Sequence, residues 1–187
     1  MNYANIKYYD IANGPGVRTS LFVSGCTHRC KNCFNAVAWD FHYGQPFSHA
    51  TEEQLIQSCQ PGYVAGLTLL GGEPMEPENQ GALLPFLRRF RQRCPEKTIW
   101  CYSGYTLEQL LGREPARCRC TETDALLSLL DVLVVGEFVQ ELHDITLRFR
   151  GSSNQRIIHL SETLASGHTA LWQDEQIYAS HALTPPV

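Results

Sequence analysis

The chain has 187 residues, 43% hydrophobic and 18% charged, which suits one globular domain with its own core. A net charge of −4 argues against a nucleic-acid backbone as the main ligand, so no nucleic-acid partner is expected. No run approaches the roughly 20 apolar residues that cross a bilayer, and residues 1–10 lack the apolar centre of a secretory signal, so the reading is a cytoplasmic protein with no membrane partner. In that compartment eight cysteines point to metal binding or catalysis rather than to a disulfide framework.

In chain order, residues 17–24 (VRTSLFVS) read as a strand, followed at once by a cysteine-rich segment. Thr51 and Gln54 form a capping-box pattern ahead of Leu55 and Ile56 and predict a helix there. Residues 66–70 (GLTLL) read as the second strand. Residues 79–93 carry Leu83, Leu84, Phe86, Leu87 and Phe90 at helical spacing, with arginines on the solvated side. Residues 98–102 (TIWCY) read as the third strand, Thr106 and Gln109 cap a further helix, and residues 123–130 form a shorter one. Residues 132–135 (VLVV) and 156–160 (RIIHL) read as the fourth and fifth strands. A helical turn at 161–165, an edge strand at 170–172 and a disordered tail at 182–187 complete the chain. The strand runs are almost continuously apolar, as in buried parallel strands. Their alternation with helices predicts an α/β fold with a parallel sheet.

Cys26, Cys30 and Cys33 have C-x3-C-x2-C spacing and directly follow the first strand, at the sheet edge where α/β proteins bind ligands. Three thiolates are one too few to close a tetrahedral site. On a four-iron cluster they leave one iron without a protein ligand, open to a small molecule. His28, Arg29 and Lys31 are expected to favour the thiolate form. Structural zinc, completed by His28 or a distant cysteine, is the alternative that spacing leaves open. Cys59, Cys94 and Cys101 read as buried thiols, and Cys118 and Cys120 as part of an exposed loop. After the second strand, Gly71-Gly72-Glu73-Pro74 lets backbone approach a ligand closely, and its carbonyls and carboxylate could receive an ammonium group. Taken alone, this tetrapeptide is an ordinary strand exit.

The two motifs together resemble the radical SAM superfamily, in which S-adenosylmethionine (SAM) is cleaved at an iron–sulfur cluster. Within it, Asn13-Gly14-Pro15-Gly16-Val17-Arg18, Cys33-Phe34-Asn35, Trp100-Cys101-Tyr102-Ser103-Gly104-Tyr105 and Arg150-Gly151-Ser152-Ser153-Asn154-Gln155-Arg156 resemble the anaerobic ribonucleoside-triphosphate reductase activating proteins. The resemblance covers residues 1–160, implying a radical SAM domain there and a partly ordered C-terminal extension over 161–187. It implies a partial (incomplete) α/β barrel of parallel strands with outer helices. It further implies a radical SAM oxidoreductase whose cofactors are one 4Fe-4S cluster per chain, on Cys26, Cys30 and Cys33, and SAM. Gly71, Gly72 and Glu73 would hold the methionyl amino group, Asn32, Cys33 and Phe34 would border the adenosyl part, and Ser103 is a lesser contact. The radical formed from SAM would take a hydrogen from a glycine of the large reductase subunit, fed by a flavodoxin-type electron donor. An activase of another glycyl-radical enzyme, such as formate acetyltransferase, is the alternative within the superfamily. No side-chain acid or base is needed, so His42, His49, His143, His159, His168 and His181 read as structural or surface residues. The turn at residues 13–17 and Arg18 would lie where a partner's glycine loop enters. The family commonly has Asp where this chain has Val135, a polar contact that is absent or replaced by Glu137.

Overall fold

The apolar bursts at residues 17–24, 66–70, 98–102 and 132–135 are the four central strands of one sheet in the computed structural model, which describes residues 1–173. The strands in chain order are β1 (Asn2–Asp10), β2 (Val17–Val23), β3 (Gln45–Pro46), β4 (Val64–Gly71), β5 (Thr98–Ser103), β6 (Val132–Val135) and β7 (Arg156–His159). Their spatial order is β3-β1-β2-β4-β5-β6-β7. The pairs β2–β4, β4–β5 and β5–β6 are parallel, as the continuous apolar runs require.

Both flanks depart from the sequence reading. The fifth strand is present but antiparallel to β6, with Val132 opposite His159 and Val135 opposite Arg156. Residues 136–155 contain no α-helix to carry the chain back across the sheet, so the strand can only return in the opposite direction. At the other flank β1 pairs antiparallel with β2 through two register irregularities. Its sequence shows no clean alternation, because it lies beside the two-residue edge strand β3 and most of its side chains remain partly exposed.

The pleat sorts the core. Ile99, Cys101, Leu133 and Val135 face the helices, while Trp100, Val132, Val134 and Ile157 form a second cluster on the other face. That second face is covered by Phe149 and by Trp172, whose rings meet Trp100 edge-on at 5.6 and 5.1 Å.

The helices are α1 (His49–Cys59), α2 (Pro77–Arg93), α3 (Leu107–Leu110), α4 (Thr123–Leu127) and α5 (Leu160–Ser166). The cap of helix α1 is Ser48, three residues before the predicted Thr51, and it accepts from the Thr51 N–H at 3.2 Å. The Thr106–Gln109 capping box forms as predicted. Helix α4 ends at Leu127, short of residue 130, and the edge strand expected at 170–172 is reduced to one bridge between Leu171 and Ile158. The tail at 182–187 lies outside the described residues. Among the described residues no helix is long and apolar enough to cross a membrane.

Candidate functional site: a three-cysteine loop over a cavity

The exits of β2, β4, β5 and β6 lie along one edge of the sheet, and they carry the motifs singled out above. Gly25 turns the chain out of β2 with φ +97°, and a Cβ there would fall on the Phe41 ring. The loop is tied down at once. Gly25 N–H donates to Ala38 O (2.8 Å), Cys26 N–H to Trp39 O (3.2 Å), and Glu73 N–H to Gly25 O (2.8 Å). The β4 exit thus reads against the cysteine loop as a continuation of the ladder. Gly72 has to be glycine there, since a Cβ would sit 2.6 Å from Gly25 O and 2.9 Å from Ala38 O.

Arg29 and Asn32, the residues directly before Cys30 and Cys33, adopt φ of 53° and 57°. A left-handed non-glycine residue costs on the order of 1–2 kcal/mol, and such strain gathers at functional sites. Backbone N–H groups of His28 and Arg29 near Cys26, and that of Phe138 near Cys30, favour the charged form of these thiols. Cys26, Cys30 and Cys33 are all free and half-buried. The donor set therefore fits an iron–sulfur cluster, with three soft thiols on one short loop and backbone donors near two of them. Among the described residues no three His, Cys, Asp or Glu side chains form a group that could hold a single metal ion.

The electrostatics correct one expectation. The basic neighbours do not outweigh burial at Cys26 and Cys30. Burial, followed by Glu73, pushes Cys26 up to about 12. Burial and then Glu137 push Cys30 up to about 11. Lys31 is drawn off to Glu141 (3.1 Å). His28 turns inward, with Nε2 3.2 Å from Glu73 Oε2. Burial opposes charge on His28, but the Glu73 carboxylate outweighs it and raises the imidazole above its ordinary value.

Glu73 is 1% exposed and its carboxylate is already engaged. Oε1 accepts from Met75 N–H (2.8 Å) and Oε2 from Gly104 N–H (2.7 Å). The side chain locks the β4 and β5 exits together. Ser103 likewise turns inward, its Oγ accepting from Tyr105 N–H (3.2 Å).

Under the loop lies a cavity of about 550 Å³, lined by Asn32, Cys33, Phe34, Tyr102, His143 and Arg150 among others. Asn32, Cys33 and Phe34 line it together, whereas Gly71, Gly72, Glu73 and Ser103 stand outside its lining. Tyr102, His143 and Arg150 were missed. The first and last lay inside quoted motifs, and His143 carried no local signal. Two buried donors at this cavity, Tyr102 Oη and Arg150 Nε, have no hydrogen-bond partner among the described residues. Ala12 and Asn13 reach the cavity from the turn after β1, but Arg18 does not. Arg18 is fully buried, with its guanidinium spent on Thr68 Oγ1 (2.7 Å), Leu67 O (2.7 Å), Thr98 O (3.0 Å) and Thr98 Oγ1 (3.0 Å). Val135 is buried in the sheet, and Glu137 stands beside Cys30. The segment around Cys118 is not an exposed loop: Cys118 is fully buried.

An open, centrally parallel sheet with three free thiols at its carboxyl edge defines a single-cluster iron–sulfur protein, and residues 12–158 match the family described as a 4Fe-4S single cluster domain. The chain is 42% identical over 166 residues to an anaerobic ribonucleoside-triphosphate reductase-activating protein of Pasteurella multocida, covering 87% of this chain and 99% of that one. It is 41% identical to the protein of that name from Escherichia coli (86% and 99% covered) and 36% identical to that of phage T4 (84% and 93% covered). The chain belongs to the family of anaerobic ribonucleoside-triphosphate reductase-activating proteins.

Proposed function

We propose that this chain is a radical SAM oxidoreductase in which Cys26, Cys30 and Cys33 each bind one iron of a 4Fe-4S cluster and leave the fourth iron to SAM. With both bound, the cluster and SAM supply one-electron cleavage of the sulfonium, giving methionine and a 5′-deoxyadenosyl radical that takes a hydrogen atom from a glycine of the large reductase subunit. The observation that carries this reading is the juxtaposition of a free three-thiol loop with a cavity that holds buried, unpartnered donors.

The chain's own residues bind, orient and exclude water. Asn32, Cys33 and Phe34 border the adenosyl part, and the turn Gly71, Gly72 and Glu73 holds the methionyl amino group. The Glu73 carboxylate serves by fixing that turn. Tyr102 Oη and Arg150 Nε–H offer donors to an acceptor-bearing group of the bound molecules, a stronger contact than the engaged Ser103. The sheet is read as the incomplete barrel of a radical SAM domain over residues 1–160, open on the cavity side so that a large protein substrate can enter. A flavodoxin-type donor supplies the electron, and the setting is cytoplasmic.

The test is anaerobic reconstitution with iron and sulfide, followed by reduction in the presence of SAM. About four irons per chain, methionine release and a glycyl radical signal on the reductase are expected. Stoichiometric zinc without SAM cleavage would sink the proposal, and a radical formed on formate acetyltransferase but not on the reductase would reassign the substrate.

A further inference from the structure

The segment around Cys118, which has no part in the reading above, is docked on the first turn of α2, beside the cysteine loop. Gln80 is fully buried and donates through Nε2 to Cys118 O (2.6 Å) and Met75 O (2.7 Å). Thr123, also fully buried, donates through Oγ1 to Gln80 Oε1 (2.8 Å), with Cys118 O at 3.1 Å from the same hydroxyl. This holds Arg117 in place, and its Nε donates to Glu76 Oε2 at 2.9 Å.

Glu76 is the residue that gives the arrangement a purpose. It is the N-cap residue of α2, yet its side chain makes no capping bond to its own helix. It is 0% exposed. A buried carboxylate persists only where donors surround it, and removing one partner exposes the full desolvation cost. Its other donors are Thr27 N–H, to Oε1 at 2.9 Å, and the Thr27 hydroxyl, also to Oε1. Thr27 directly follows Cys26. Three residues further on, in the first turn of α2, Asn79 donates through Nδ2 to Ser24 O (3.0 Å) and Glu73 O (2.9 Å). The first turn of α2 therefore grips the chain on both sides of Cys26, at Ser24 and at Thr27.

We infer that Glu76 and Arg117 are positioning residues for the metal-binding loop: the Arg117–Glu76 pair holds Thr27, and through it Cys26, in the geometry that retains the metal. This rests on the reading of Cys26, Cys30 and Cys33 as metal ligands. Arg117 itself is half-exposed, so its truncation leaves no cavity. Its effect acts through Glu76, which loses its counter-charge and is left with the Thr27 donors alone.

The test measures metal retention rather than turnover. Protein reconstituted with iron and sulfide is mixed with a ferrous chelator without oxygen, and loss of cluster absorbance is followed beside the melting temperature. Arg117→Ala should speed iron extraction about tenfold, Arg117→Lys should restore most of the difference, and Thr27→Val should add little on top of Arg117→Ala because both act through Glu76. Arg119→Ala breaks the neighbouring Arg119–Asp124 pair (2.6 Å) in the same segment and should leave extraction at the wild-type rate. Wild-type extraction in Arg117→Ala, or equal acceleration in Arg119→Ala, would overturn the inference. Wild-type protein that takes up no iron would instead overturn the ligand assignment, and the positioning role with it.

Discussion

Cys26 and Cys59 are both free thiols, but only the first stands where a ligand can reach it. Cys33→Ala or Cys26→Ala should therefore abolish iron uptake in reconstitution. Cys59→Ala, in the core, should keep its iron and lose about 1 kcal/mol of stability in urea unfolding. Protonation gives a second prediction. The Cys26 thiol is raised to about 12, and Cys30 and Cys118 to about 11, from an ordinary 9.0. The folded metal-free protein then keeps protons that the unfolded chain releases, so its stability must fall as pH rises from about 9 to 12. Arg18, lowered from 12.5 to about 10 by burial, works in the opposite direction above pH 10 and offsets part of the loss. The urea midpoint of the metal-free protein should thus be lower at pH 10 than at pH 8. An unchanged midpoint would mean that these thiols are not held protonated by the fold.

Among the elements, α2 carries the clearest internal conflict. Pro85 sits inside a 17-residue helix, where it removes one backbone hydrogen bond and crowds the preceding turn. Its ring is exposed, so packing gives little back. Pro85→Ala should raise stability by about 1–3 kcal/mol, read as a higher denaturation midpoint with iron content unchanged. The β4 exit makes the opposite case. Gly72→Ala would drive a methyl into Gly25 O and Ala38 O, pushing the cysteine loop away from the sheet edge. A loss of about 1–3 kcal/mol is expected, together with faster loss of iron.

Taken as a whole, the molecule offers its cavity at a surface where Phe34 is 85% exposed. A large apolar ring so placed, beside Cys33, suits contact with a partner rather than the protein's own core. Phe34→Asp should leave iron content intact and lower the glycyl radical yield on the reductase at least tenfold; full yield would show that the ring plays no part in docking.

The four central strands, the cysteine loop and the glycine turn were legible in the chain alone, because buried parallel strands write themselves as continuous apolar runs and three closely spaced cysteines leave few readings. Residues 79–93 were legible for the same kind of reason, since one helical face is apolar. Strand β1 was not legible: its pairing is long-range and its flank position demands little periodicity. Nor was the direction of β7, which depends on a missing crossover helix rather than on anything within RIIHL.

At the site, residue type and spacing by themselves determined which thiols share one loop, because the three cysteines fall within eight residues. Only the tertiary structure decided what surrounds them. It spent the Glu73 carboxylate on Gly104 and Met75, turned Ser103 inward, buried Arg18 and brought Tyr102, His143 and Arg150 to the cavity. The physical reason is that each of these side chains is paired, or left unpaired, by groups on other elements, and no local pattern records such long-range hydrogen bonds.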